Sequence, residues 1–205
     1  MNQGGKQMTM SRRNLIAATA LTALAASRGC FDTLMLVAQG YQESGLDQRT
    51  VSRAGAVGLM QIMPETGREL GVGDIHKPDP NVHAGAKYMA QLMDDYLKYA
   101  SFDDQNRNLF AFAAYDAGPE KILSLRREAQ AEKLDPNLWF NNVERVAAAR
   151  VGQEPVQYVR NIYKYYVAYK LIEEADAAKK AAIAGTTTQP AGAGTSAPPQ
   201  PAQPH

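Results

Sequence analysis

Glu43 is the side chain of this sequence best placed to hold and deliver a proton. It closes an apolar run at residues 31–44 (Phe-Asp-Thr-Leu-Met-Leu-Val-Ala-Gln-Gly-Tyr-Gln-Glu-Ser), and Gly45 follows at once as a turn signal. Apolar neighbours disfavour the carboxylate by desolvation, and the negative end of a helix dipole disfavours it again. A carboxyl treated in this way keeps its proton near neutral pH and can act as a general acid. Position alone also fits a solvated glutamate at a helix end, so the choice rests on what surrounds it. A second carboxyl, Asp116, ends the apolar run 109–115 and is disfavoured as an anion for the same two reasons. It must be protonated, paired or reached by solvent, and if it lies near Glu43 mutual repulsion raises the apparent pKa of the pair.

The elements that must position these groups are helical. Leu34, Val37, Ala38 and Tyr41 recur at the i, i+3, i+4, i+7 spacing of a core stripe. Glu43 lies off that stripe, over Leu36 and Gly40, and the missing side chain at Gly40 predicts room for a ligand beside the carboxyl. Asp79-Pro80 supplies a helix start, after which Ala84, Tyr88, Leu92 and Tyr96 follow at four-residue spacing through residue 98. The run 109–115 is apolar on every side, which predicts a helix at the domain centre, ended by Gly118-Pro119. Residues 156–171 predict a long closing helix, and the glycines of 55–63 predict a hairpin or irregular strand-like lip. The fold class is mainly α.

Five ordered motifs carry a family resemblance. They are Glu43-Ser44-Gly45; Gly58-Leu59-Met60-Gln61-Ile62-Met63-Pro64-Glu65-Thr66-Gly67; Asn81-Val82-His83-Ala84-Gly85-Ala86-Lys87-Tyr88; Ala114-Tyr115-Asp116-Ala117-Gly118-Pro119; and Glu154-Pro155-Val156-Gln157-Tyr158-Val159. In this order they resemble the soluble lytic transglycosylases, relatives of goose-type lysozyme, over residues 31–172. Residues 134–169 look closest to the catalytic domain of the membrane-bound lytic murein transglycosylase F group. The resemblance implies a lysozyme-like fold with the lip beside a cleft, and cleavage of peptidoglycan between N-acetylmuramic acid and N-acetylglucosamine with formation of a 1,6-anhydro sugar. It implies Glu43 as the catalytic acid and base, Ser44 near the reacting sugar, and Gln61 with the Met60 backbone as donors to substrate. Met63 and Tyr115 would line the cleft, and Tyr158 would point its hydroxyl at Glu43. Gly58 reads as backbone freedom within the same substrate-binding motif. Asp116 departs from the asparagine usual in the family, which leaves open a shifted pH profile, weaker binding or a turn toward hydrolysis. A hydrolytic muramidase and a catalytically impaired wall-binding module are the competing readings.

Composition narrows the remainder. The 205 residues carry 22 Lys+Arg against 21 Asp+Glu, a net charge of +1, so nothing suggests bulk attraction to nucleic acid. The three histidines have no zinc spacing and no phosphate-loop pattern occurs, so neither metal nor cofactor is expected; the resemblance implies a glycan strand as partner, and a monomer is expected. Residues 1–29 form a signal-like segment, with Lys6, Arg12 and Arg13 ahead of an uncharged run at 15–26. They predict export to the periplasm or cell envelope, with membrane association through that segment. Ser11-Arg12-Arg13-Asn14 resembles a twin-arginine signal, and Cys30 raises lipidation although its flanks fit a lipobox poorly. Residues 30–180 are the expected catalytic domain. Residues 181–205, with Pro190, Pro198, Pro199, Pro201 and Pro204, are the expected disordered tail.

Overall fold

A computed structural model describes residues 32–98 and 100–187. The signal-like segment, Phe31, Cys30 and the end of the tail lie outside the described residues. The elements are α1 (Thr33–Ser44), α2 (Pro64–Leu70), α3 (Pro78–Gln91), a π-helical segment (Leu92–Tyr96), α4 (Asp104–Ala117), α5 (Pro119–Ala131), a wide turn (Trp139–Val143), α6 (Glu144–Arg150) and α7 (Gln153–Thr187). Among the described residues extended pairing is limited to two isolated bridges, Val51 with Val57 and Val57 with Ile62. The chain divides into compact units at residue 170; the second, from Leu171, is helical through Thr187. The closing helix therefore begins near its expected start but runs well past 171, into the segment expected as tail.

α1 is capped at both ends. The Asp32 carboxylate accepts the Leu34 N–H at 2.9 Å, and Gly45, left-handed at φ 63°, returns its N–H to the carbonyls of Gly40 and Tyr41. Its burial differs from the expected stripe. Met35 through Gly40 are all buried, whereas Leu34 and Tyr41 are only partly covered. A single face would suffice for a helix at the surface; α1 is covered on more sides because the lip lies along its second half. Gly40 is the contact point, since a Cβ there would sit 3.1 Å from Leu46 Cδ2 and 3.4 Å from Met60 Sδ. The space read as room for a ligand is filled by the protein itself.

α4 runs through the core as its composition dictates. Leu109 to Ala114 are fully buried, Asp103 accepts the Asn106 N–H at the start, and Gly118, at φ 88°, turns the chain into Pro119 of α5. Phe110 meets Trp139 edge-on at 5.6 Å, and the Trp139 backbone N–H is received by Asn106 Oδ1, so the wide turn is docked on α4. α3 starts at Pro78 rather than Asp79-Pro80, with Lys77 as its cap. The four-residue spacing beyond it breaks at the π-helical segment, which leaves Tyr96 exposed while Leu92 is buried.

The lip, residues 46–63, owes its shape to a buried asparagine. Asn81 Oδ1 accepts the Met60 N–H at 2.8 Å, and its Nδ2 donates to the carbonyls of Val57 and Ile75 at 2.7 and 3.0 Å. Gly58, at φ 80°, passes so close that a Cβ would meet Gln48 and Asn81 side chains at 2.4 and 2.5 Å. Asn81→Ala leaves the buried Met60 N–H without its acceptor and takes one of two donors from each of the Val57 and Ile75 carbonyls, which keep the Ile62 N–H and the Gln48 amide. It is expected to lower unfolding free energy by about 2 kcal/mol in chemical denaturation; a loss below about 1 kcal/mol would show that the lip does not depend on this side chain.

Candidate active site

Glu43 sits in the last turn of α1, ahead of Gly45, where the helix carbonyls crowd its negative end. Burial is the main force on its carboxyl and raises its pKa from 4.5 to about 7; the Tyr158 hydrogen bond opposes this and the charge of Asp116 reinforces it. The Tyr158 hydroxyl, on the second turn of α7, donates to Glu43 Oε1. Burial beside Glu43 keeps the Tyr158 hydroxyl well above the usual phenol range, so it remains a donor. Glu43 Oε2 carries no hydrogen bond among the described residues. The geometry therefore offers one anchored and one free carboxyl oxygen on a group poised to exchange a proton near neutrality.

α4 supplies the opposing groups. Tyr115 donates its hydroxyl to the Met60 carbonyl at 2.7 Å and packs edge-on against Tyr88 at 5.2 Å. Burial, then the charge of Glu43, pushes its pKa well above the ordinary range. Asp116, at the exposed last turn, is raised from 3.8 to about 6 by partial desolvation and by Glu154 at the start of α7. Its charge in turn acts on Glu43. The negative charges thus form a series in which Glu154 acts on Asp116 and Asp116 on Glu43.

Several residues expected to meet substrate make hydrogen bonds within the protein. Met60 is fully buried; its N–H is committed to Asn81 and its carbonyl receives Tyr115, so the N–H has no proton to offer a ligand. The Gln61 amide donates to the carbonyls of Gly58 and Thr50 at 2.8 and 3.2 Å, and its backbone is left-handed at φ 46°, the mark of a turn residue. Ser44 Oγ lies 3.2 Å from the Gly40 carbonyl and 3.0 Å from that of Leu59, and accepts the Asp47 N–H, so it fastens the end of α1 to the lip. Gly58 shapes the backbone, as its φ and surroundings require. Met63 is exposed where the lip enters α2. Glu43, Tyr115, Asp116 and Tyr158 come together; Ser44, Gly58, Met60 and Gln61 form the frame beside them.

Residues outside the sequence-derived set also belong here. Asn81 and Gln48 brace the lip, Glu154 disfavours the Asp116 anion, and Gln39 reaches Tyr158. The signal for Gln39 was available, since it is an uncharged amide in an otherwise apolar helical stretch and a buried amide must find partners; Asn81, among Asp79, Pro80 and His83, carried no such contrast.

Comparison with known proteins agrees with this architecture. The family model of the Transglycosylase SLT domain matches residues 22–138. Membrane-bound lytic murein transglycosylase F of Ectopseudomonas mendocina is 33% identical over 149 residues, covering 66% of this chain and 30% of the relative. The same-named protein of Stutzerimonas stutzeri is 34% identical over 149 residues, with the same coverage. The chain thus spans about 30% of the length of these curated relatives. Among solved structures, an inactive Glu-to-Gln variant of lytic transglycosylase Slt from Pseudomonas aeruginosa superposes with a TM-score of 0.59 at 26% identity, over 81% of this chain and 25% of that one. The 70 kDa soluble lytic transglycosylase of Escherichia coli gives 0.52 at 20% identity, over 76% of this chain and 24% of that one, a likeness of fold. The fold is thereby lysozyme-like and all-α.

A raised carboxyl pKa has a cost in stability with a definite sign. The folded state binds the Glu43 proton more tightly than the unfolded chain, so this group's contribution is full below pH 4.5 and is lost as pH rises to about 7. The loss amounts to about 3 kcal/mol. Glu43→Gln removes it. The variant is expected to match the parent in denaturation at pH 4 and exceed it at pH 8; equal stabilities at both would show the carboxyl to be ordinary.

Proposed function

The chain belongs to the transglycosylase SLT domain family, and from that premise we propose that it is a peptidoglycan lytic transglycosylase of the cell envelope, with Glu43 as general acid and then base. The observation that carries this reading is the part-buried Glu43 carboxyl, tethered to Tyr158 through one oxygen and with its pKa raised by burial to about 7. Protonated Glu43 gives its proton to the oxygen between N-acetylmuramic acid and N-acetylglucosamine. The substrate's acetamido group stabilises C1 as that bond breaks. The resulting Glu43 carboxylate takes the proton from the muramoyl C6 hydroxyl while O6 bonds to C1, yielding a 1,6-anhydro end. Atoms balance without water, and the carboxyl ends as it began. Such a single-carboxyl route differs from the two-carboxylate scheme of most glycosidases. Tyr158 holds the acid in place and Tyr115 fixes the lip against α4 through the Met60 carbonyl.

Asp116 favours one second reading. A partly ionised carboxyl whose charge reaches Glu43 could position water at C1, which would make the chain a hydrolytic muramidase. Weighing the products from isolated sacculi separates the two, because hydrolysed ends exceed anhydro ends by one water. Anhydro ends are expected, together with a fall in turnover of at least about a hundredfold in Glu43→Gln. Hydrated products would replace the first reading by the second, and a fully active Glu43→Gln would remove both. Asp116→Asn is expected to keep activity while moving the neutral limb of the pH–rate profile to lower pH, because losing the Asp116 charge lowers the Glu43 pKa. An unmoved limb would mean that the two carboxyls do not communicate.

A further inference from the structure

Gln39 lies four residues before Glu43 on α1 and is completely buried. Its one recorded hydrogen bond runs from Nε2 to the Tyr158 hydroxyl, at a long 3.5 Å, and its Oε1 has no partner. An orphaned buried carbonyl disfavours folding, and a leucine of similar volume would fill the site without one. Packing therefore does not explain the amide. The phenol does: it has a single proton and two lone pairs, with a carboxyl on one side and the Gln39 amide on the other. With the NH2 toward Tyr158, the phenol oxygen is occupied by a donor and its proton is left for Glu43. Turned over, the amide would compete with Glu43 for that proton.

We propose that Gln39 is a positioning residue for the proton transfer: its buried amide orients the Tyr158 hydroxyl so that the hydroxyl proton is directed at Glu43 Oε1, leaving Oε2 to face the substrate. This rests on the reading of Glu43 as the acid. Donation into the phenol oxygen also polarises the O–H and strengthens its bond to the carboxylate. The titratable groups facing this pair are Glu43 on α1, Tyr115 and Asp116 on α4, and Tyr158 on α7, with Glu154 acting on Asp116.

A double-mutant cycle on the whole protein tests the assignment. The ionisation midpoint of Glu43 is followed by carbon NMR of its side-chain carboxyl in the parent, Gln39→Leu, Tyr158→Phe and the double variant, and the pH–rate profile on sacculi is recorded beside it. Gln39→Leu is expected to raise the midpoint by about half a pH unit, as a weakened hydrogen bond would. The same change in the Tyr158→Phe background is expected to add nothing. The neutral limb of kcat/KM should move with the midpoint while KM stays put. An unmoved midpoint in Gln39→Leu, or an equal shift without the Tyr158 hydroxyl, overturns the assignment and leaves Gln39 a packing residue. Gln39→Met, unbranched and of matching length, repeats the removal if leucine perturbs folding. Absence of anhydro products from the parent would sink the functional reading alone, because the NMR midpoint needs no turnover.

Discussion

Two opposing forces on one carboxyl govern this domain. Burial of Glu43 favours the neutral acid, and the Tyr158 hydroxyl favours the anion; the first outweighs the second, and Asp116 adds to it. If the hydrogen bond won, the acid would be ionised at neutral pH and have no proton to give. If burial acted alone, the group would hold its proton too tightly to release it. The balance near pH 7 places both directions of transfer within reach, the condition a group needs to serve as acid and base in turn.

That balance depends on a frame whose polar groups are already occupied. Asn81 holds the lip from below, Gln61 closes it from within, Ser44 joins it to α1, and Tyr115 joins it to α4. Their hydrogen bonds fix the backbone around Gly58 and press Met60 against Gly40 and Gly85, where a Cβ at Gly85 would meet Met60 Cγ at 2.6 Å. Family motifs rich in such residues therefore mark the scaffold as much as the contact surface. A buried backbone leaves little choice, since each of its groups must be paired.

The sequence carried the fold further than it carried the contacts. Helix α4 was legible because six consecutive buried positions leave no polar face, and Gly118-Pro119 can end a helix in few ways. Glu43, Tyr158 and Asp116 could be joined only through motif order, because 115 residues separate the first two and no local pattern reports such a distance. The inward turn of Met60 and Gln61 was not legible. A residue that lines a groove and one that braces its wall share types and spacing, and only the direction of each donor distinguishes them. The reading of Gly40 failed for a related reason: an absent side chain signals close approach without saying of what.

Helix α7 grips α1 twice. Tyr158 holds its carboxyl end, and Tyr166, two turns later, donates to the Asp32 carboxylate at the other end at 2.8 Å, across 134 residues of sequence. Tyr41 against Tyr165, edge-on at 4.7 Å, fixes the register between them. A polypeptide still leaving the ribosome thus possesses its acid from residue 43 onward but lacks the helix that tunes it until nearly the whole domain has emerged. Contacts so distant in sequence form late and slowly. The surroundings that set the Glu43 pKa are therefore complete only once α7 has docked on α1 at both ends.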